Sequence, residues 1–259
     1  IAFWKSEPDS GQSNAINKGL QLANGTLFNW LNADDRLTPN ALKTVLNCID
    51  SETHVVVGQC EHIDDAGNSI AVGSAKIWDS LEATLGNYSM GQPSLFYRTS
   101  IVKELGNLNE NLHYCMDMDL WFRYLTKFGQ QSIVQTVSIL SQFLIHSDSK
   151  SVEHEEAMKN EKYGIYRALL SQFDLPLALK KFLAQYPIPE LNPKSYYRNL
   201  DQNDLIANFC WHLMISSYEK GDFKQCSVYY DVVQKGNRLS AAENLKWKAR
   251  LASVKLLGR

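Results

Sequence analysis

The sequence predicts an α/β domain with a mostly parallel sheet, followed by a region built only of helices. Short β-prone runs alternate with amphipathic helical stretches as far as Ile145. Acidic residues stand just past one of those runs, where open α/β sheets bind ligands. Beyond His146 the strand-like runs cease, and helical text is broken at Pro176, across Pro187 to Pro193, and at Gly221 and Gly236.

Taken in order, Ile1 to Trp4 reads as a strand. From Ser13 to Ala23 the residues Ile16, Leu20 and Ala23 share a helical face, and Asn24-Gly25 supplies a stop. Thr26 to Leu31 is short, mostly apolar and β-prone, and it leads into Asn32-Ala33-Asp34-Asp35. Thr38-Pro39 resembles an N-cap with proline at the first helical position, and Leu42, Val45, Leu46 and Ile49 form the expected buried face. Val55 to Val57 predicts a strand, and Asp64 to Asn68 a turn. Pro93 to Tyr97 predicts another strand, and Ser100 to Leu105 a short helix stopped by Gly106. Asp117 to Phe128 is a helix with Leu120, Trp121, Tyr124, Leu125 and Phe128 inward, and Ile133 to Ile145 is again strand-like. The expected division is residues 1–172 for the α/β domain and 173–259 for the helical region.

Within Asn208 to Val233, the residues Trp211, Met214, Tyr218, Gly221-Asp222-Phe223, Cys226, Tyr230 and Val233 fall at tetratricopeptide-like spacing. A single hairpin of that kind cannot bury its own face, so a hairpin docked on its neighbours is the preferred reading over a peptide-binding array.

Length admits one large domain or two ordinary ones, and the hydrophobic fraction of 44% and charged fraction of 21% are those of a globular protein. A net charge of −2 carries no electrostatic footprint for nucleic acid. No apolar run approaches the ~20 residues of a membrane span, and with polar residues from Lys5 onward the opening stretch is not expected to be a signal peptide. Five scattered cysteines lack zinc or redox spacing and read as buried thiols of a reducing compartment.

Asp34 and Asp35 repel one another unless a cation or hydrogen-bond donors offset them, and hard oxygen ligands of this type suit Mg²⁺ or Mn²⁺. A solvated turn is the plain alternative, as Asp64-Asp65 illustrates. Asp117 and Asp119 straddle a helix start, a pattern that fits one acid inward and one capping the helix. His146, closing an apolar run, reads alone as a surface histidine.

In combination these stretches resemble a known family. Ser6 to Leu42 (SEPDSGQSNAINKGLQLANGTLFNWLNADDRLTPNAL), Gly91 to Trp121 (GQPSLFYRTSIVKELGNLNENLHYCMDMDLW) and Phe143 to Ser151 (FLIHSDSKS) follow the order of the donor, acceptor and closing segments of inverting family 2 glycosyltransferases. The resemblance implies a GT-A, Rossmann-like fold that moves a sugar from a nucleotide-diphosphate donor to an acceptor hydroxyl with inversion, with Mn²⁺ or Mg²⁺ as cofactor. It implies Asp117 as catalytic base and Asp9, Asn17 and Asp34 on the donor side. Asp119 and Trp121 would line the acceptor side, and Asp35 and His146 would hold the metal. Asn32 and Met116 stand where the family often has acids. The family's opening βαβ unit has no counterpart, which reads as a truncated domain whose chain as written binds donor poorly. A saccharide or glycolipid acceptor in polysaccharide or glycolipid synthesis is the family-level expectation, as is a cytoplasmic site that can include the inner membrane face through peripheral contact. Acceptor contacts are expected in irregular segments such as Ala75 to Gln92. The alternatives are a non-catalytic interaction protein, engaging a protein partner through its helical tail, and a divalent-metal phosphohydrolase.

Overall fold

The computed structural model describes residues 4–145, 154–191, 196, 198–236 and 238–256. They cluster into two compact units. The first comprises Ile1–Ala75, Ser89–Ala168 and Tyr186–Tyr196; the second comprises Lys76–Tyr88, Leu169–Gln185 and Tyr197–Arg259. Each unit is assembled from three separate stretches of the chain.

In the first unit the sheet runs β1 (Leu27–Phe28), β5 (Leu95–Arg98), β3 (Val55–Ile63), β6 (Ile133–Leu144) and β2 (Arg36–Leu37). β4 (Ser69–Ser74) pairs with the far half of β3, from Gln59 to Ile63. Only β3 and β6 are parallel among the described pairings; β1–β5, β2–β6, β3–β4 and β3–β5 are antiparallel. The mostly parallel sheet expected from the alternation is therefore mixed. Part of the reason is local: Asp64 accepts from the Asn68 backbone and Gly67 takes a positive φ, so the turn sends β4 straight back as a hairpin.

Val55, Val56 and Val57 are buried because both sheet faces are covered. On one face α2 (Ala41–Cys48) packs Ala41 and Val45 against Val56, Phe96 and Leu140. On the other, α5 (Met116–Phe128) sets Trp121 and Tyr124 edge-on to Tyr97. Two helical expectations are corrected here. α2 begins at Ala41, because Thr38 gives its N–H to Leu140 and its hydroxyl to Ile139, and Asn40 adopts φ 65° at the N-cap. Its buried face is Ala41 and Val45, with Cys48 and Ile49 part-buried, while Leu42 and Leu46 are exposed.

The expected strand Thr26 to Leu31 shrinks to Leu27–Phe28. The Asn29 side-chain amide instead bonds the carbonyls of Pro93 and Leu95, and the chain leaves the ladder. Ile1 to Phe3 lie outside the described residues, and Trp4 is exposed and in no element. α1 (Gln12–Leu22) and α4 (Thr99–Glu104) stand within a residue of expectation, and Gly106 (φ 86°) follows α4 as its stop. α6 (Glu155–Leu170) belongs to the first unit through Ala168.

In the second unit α3 (Leu81–Gly86) lies against α8 (Gln202–Glu219), with Gly86 so close to Asn208 that a Cβ would come within 2.6 Å of it. Asn87 donates to the Asn208 side chain at 2.7 Å. α8 and α9 (Phe223–Lys235) form a hairpin through Gly221 (φ 75°), capped by the Asp201 and Asp222 side chains. α7 (Leu177–Leu183) and α10 (Ala241–Leu256) complete the described helices of this unit. Within it Trp247 meets Trp211 and Tyr218 edge-on, so the aromatic residues read from the sequence as hairpin positions form packing contacts. Among the described residues no helix is long and apolar enough to cross a membrane. The five cysteines are free, four of them buried.

Candidate active site

The first unit holds a cavity of about 740 Å³ at the carboxyl ends of β3 and β6. β3 contributes Cys60 and His62, and the end of β6 contributes Phe143 and Ile145. The loop after β1 supplies Trp30 to Asp34, α1 supplies Gln12, Ala15 and Ile16, and the entry to α5 supplies Tyr114, Met116 and Asp117. Met90 to Pro93 and Met158 complete the lining. Gly91 is required there, since a Cβ would stand 2.7 Å from that of Cys60. Gln92 fixes the loop by donating to the Trp30 carbonyl at 2.8 Å.

Asp34 and Asp117 both line this cavity. α5 explains the second of them: from Met116 to Thr126 every residue is buried except Asp117. A helix buried nearly all round leaves its one part-exposed acid facing open space.

Asp119 and Trp121, expected on the acceptor side, do not reach the cavity. Asp119 is 2% exposed and takes two hydrogen bonds from Arg123, at 2.9 and 2.7 Å, and one from the Tyr196 hydroxyl. Arg123 also donates to the carbonyls of Leu105 and Asn107. Burial, then the Asp119 charge, raises the Tyr196 pKa well above its usual value and keeps the hydroxyl a donor. Trp121 is stacked on Tyr124 in the core. A carboxylate so far out of water needs partners, and α5 supplies one a single turn later.

The acid loop divides its labour in the same way. Asp34 faces the cavity, whereas Asp35 is 7% exposed and absent from the lining. Asp35 accepts from the Leu144 N–H at 3.4 Å and from the Asn32 amide at 2.8 Å, and Asn32 in turn accepts from Gln12 at 2.8 Å. An acid at position 32 would have no N–H to give Asp35, which is the physical sense of the asparagine. Burial pushes the Asp35 pKa up to about 6; the Asn32 bond opposes this and the neighbouring Asp34 charge adds to it.

Two further expected donor-side residues make hydrogen bonds within the chain and are absent from the cavity lining. Asn17 is buried, donates to the Leu108 carbonyl and Glu110, and accepts from the Leu108 N–H. Asp9 is exposed and accepts from the Gly11 N–H at 2.9 Å. His146 lies outside the described residues. Trp30, Tyr114, His62 and Phe143 also line the cavity, and nothing in the sequence singles them out as site residues. Aromatic residues carry no signal of which cavity they face, although Trp30 lies within the β-prone run before the acid pair.

Among the described residues no three His, Cys, Asp or Glu side chains converge on a common point. The donor set still fits Mg²⁺ or Mn²⁺ held with a substrate. Such ions keep waters and bind through one or two carboxylates plus substrate phosphates, and Asp34 offers one such carboxylate in a cavity large enough for both.

Residues 3–121 match the family model described as Glycosyl transferase family 2, a stretch that ends just past both cavity acids. The match is a likeness over a little under half of the chain. The chain is 28% identical over 185 residues to an uncharacterized glycosyltransferase of Rickettsia felis, covering 68% of this chain and 30% of that protein. It is 28% identical over 183 residues to one of Rickettsia conorii, with 67% and 30% covered. A glycosyltransferase of Mycobacterium tuberculosis (strain H37Rv) is 22% identical over 129 residues, covering 48% of this chain and 47% of that protein. The chain thus spans 30% of the length of the two rickettsial relatives. The family 2 match covers α1, the acid loop and the start of α5, which wall part of the cavity, while Phe143, Ile145 and Met158 lie beyond it.

Asp35 is expected to titrate near pH 6 by carboxyl NMR. Because its folded pKa lies above the unfolded value, its contribution to stability is complete below about pH 4. That contribution is lost as pH rises through about 6, and urea midpoints for wild type and Asp35→Asn across this window measure it. Asp119→Ala strands the buried Arg123 and is expected to cost about 3–5 kcal/mol in urea unfolding.

Proposed function

We propose that this domain transfers a sugar from a nucleoside-diphosphate donor to an acceptor hydroxyl by single displacement with inversion. The observation that carries the reading is that Asp34 and Asp117, 83 positions apart in sequence (117 − 34), line one cavity at the strands' carboxyl ends. Asp117 takes the proton of the acceptor hydroxyl as that oxygen bonds to the anomeric carbon. The bond from that carbon to the diphosphate oxygen breaks, and its electron pair leaves with the nucleoside diphosphate. Base catalysis of this kind contributes about 10²–10⁴-fold.

Asp34 is assigned the divalent cation, Mn²⁺ or Mg²⁺, together with the donor diphosphate; when bound, the cation offsets the charge that gathers on the leaving group. Asp35, the residue first expected in that place, is assigned to holding the acid loop on β6. Trp30, Tyr114 and Phe143 offer faces against which sugar rings stack. His146 remains assigned to the diphosphate and metal by resemblance alone. The sugar acceptor, a role in polysaccharide or glycolipid synthesis, work at the inner membrane face, and a tetratricopeptide-like role for the α8–α9 hairpin with a protein partner belong to the same proposal. So does the division at residue 172.

Asp117→Asn is expected to lower cation-dependent turnover of a panel of nucleotide sugars by about 10²–10⁴-fold while donor binding persists. Wild-type turnover in that variant removes the base assignment. Asp34→Ala is expected to abolish the Mn²⁺-dependent part of nucleoside diphosphate affinity in calorimetry, with Asp35→Asn retaining it. The reverse pattern returns the cation to Asp35.

A further inference from the structure

We propose that Glu161 is the positioning residue for Asp117: its carboxylate, presented by α6, holds the chain before α5 so that the Asp117 side chain faces the cavity. The inference rests on the reading of Asp117 as the base.

Three successive backbone N–H groups converge on that single carboxylate. His113 donates to one oxygen at 2.8 Å, and Tyr114 and Cys115 donate to the other at 2.8 and 2.9 Å. Consecutive amides meet at one point only where the backbone curls around an anion, and bonds to a charged acceptor are the stronger kind. These amides precede the first turn of α5, where Cys115, the N-cap, makes no side-chain capping bond. Glu161 supplies from another helix the negative charge that a capping residue would bring to this end.

A second tie reinforces the first. The Cys115 thiol donates to the Met158 carbonyl at 3.5 Å, three residues before Glu161 on α6. Met158 and Tyr114 line the cavity, and Asp117 follows Cys115 by two residues. One turn of α6 therefore grips the segment that aims Asp117.

The charge of Glu161 also bears on its neighbourhood. Burial, then Asp117, then Glu161 raise the Cys115 pKa, so the thiol lies in the field of both carboxylates. Asp117 also acts on the buried Tyr97 hydroxyl of β5, whose pKa burial and then Asp117 raise, a rise that Arg123 opposes. Lys162 acts on Cys115 from α6, and its own pKa is lowered by burial. Asp34 lies on the same cavity. Removing the Glu161 charge leaves Asp117 with one negative neighbour fewer, which favours its ionised form.

The test is amide hydrogen exchange and carboxyl NMR titration on the full chain, comparing wild type with Glu161→Gln and Glu161→Asp. In wild type the amides of 113–115 are expected to exchange at least about 100-fold more slowly than the random-coil rate. In Glu161→Gln that protection falls at least about tenfold and the Asp117 midpoint moves down. Glu161→Asp, which keeps the charge, returns the midpoint toward wild type. Unprotected amides in wild type overturn the proposal without any variant having to fold. An unchanged Asp117 midpoint in folded Glu161→Gln overturns it as well. Full nucleotide-sugar turnover by Asp117→Asn overturns the base reading alone, because the exchange and titration results do not depend on turnover.

Discussion

The first unit depends on the parallel pairing of β3 with β6. β3 is the central strand of the sheet, with β5 and then β4 along one edge and β6 along the other. Its residues Val55 to Val57 are buried on both faces, which holds α2 and α5 on opposite sides of the sheet. Because β3 and β6 run in the same direction, their last side chains emerge at one rim. Cys60, His62, Phe143 and Ile145 thereby become the floor of the cavity. A register slip of one residue would turn these side chains to the opposite face.

Polar groups then decide which acids reach that floor. In each acidic pair one member is buried among hydrogen-bond partners and the other lines the cavity, Asp117 while accepting from the Met118 N–H at 2.8 Å. Asp119 takes Arg123 and Tyr196 while Asp117 stays part-exposed; Asp35 takes Asn32 and Leu144 while Asp34 lines the space. The withdrawn acid carries a desolvation cost that its partners offset. In return it fixes the rotation of the helix or the seat of the loop that bears the other. Glu161 extends the same arrangement, since it reaches the α5 entry from α6 and not from a neighbour in sequence.

Much of this was legible in the residues. The helical spacing of Ile16 and Leu20, the stop at Gly106, the turn at Asp64 to Asn68 and the strand Ile133 to Ile145 all rest on local preferences that tertiary contacts left in place. The failures share a cause. Leu42 and Leu46 were assigned inward because apolar spacing does not say which side a sheet will cover. Thr38 passed for an N-cap because its competing acceptors, Ile139 and Leu140, lie about a hundred residues away. The mixed sheet went unread because the direction of a strand leaves no mark on its composition.

For the site, the sequence by itself determined the chemical inventory: carboxylates at Asp34, Asp35, Asp117 and Asp119, placed at a strand end and a helix start, in an order similar to family 2 glycosyltransferases. Only the tertiary structure decided which of them face the cavity and which are consumed as internal partners. The physical reason is that residue type and local position set what a group can donate or accept. Whether it is free to act depends on distant partners such as Tyr196, Leu144 and Glu161, which the folded chain alone brings within hydrogen-bonding distance.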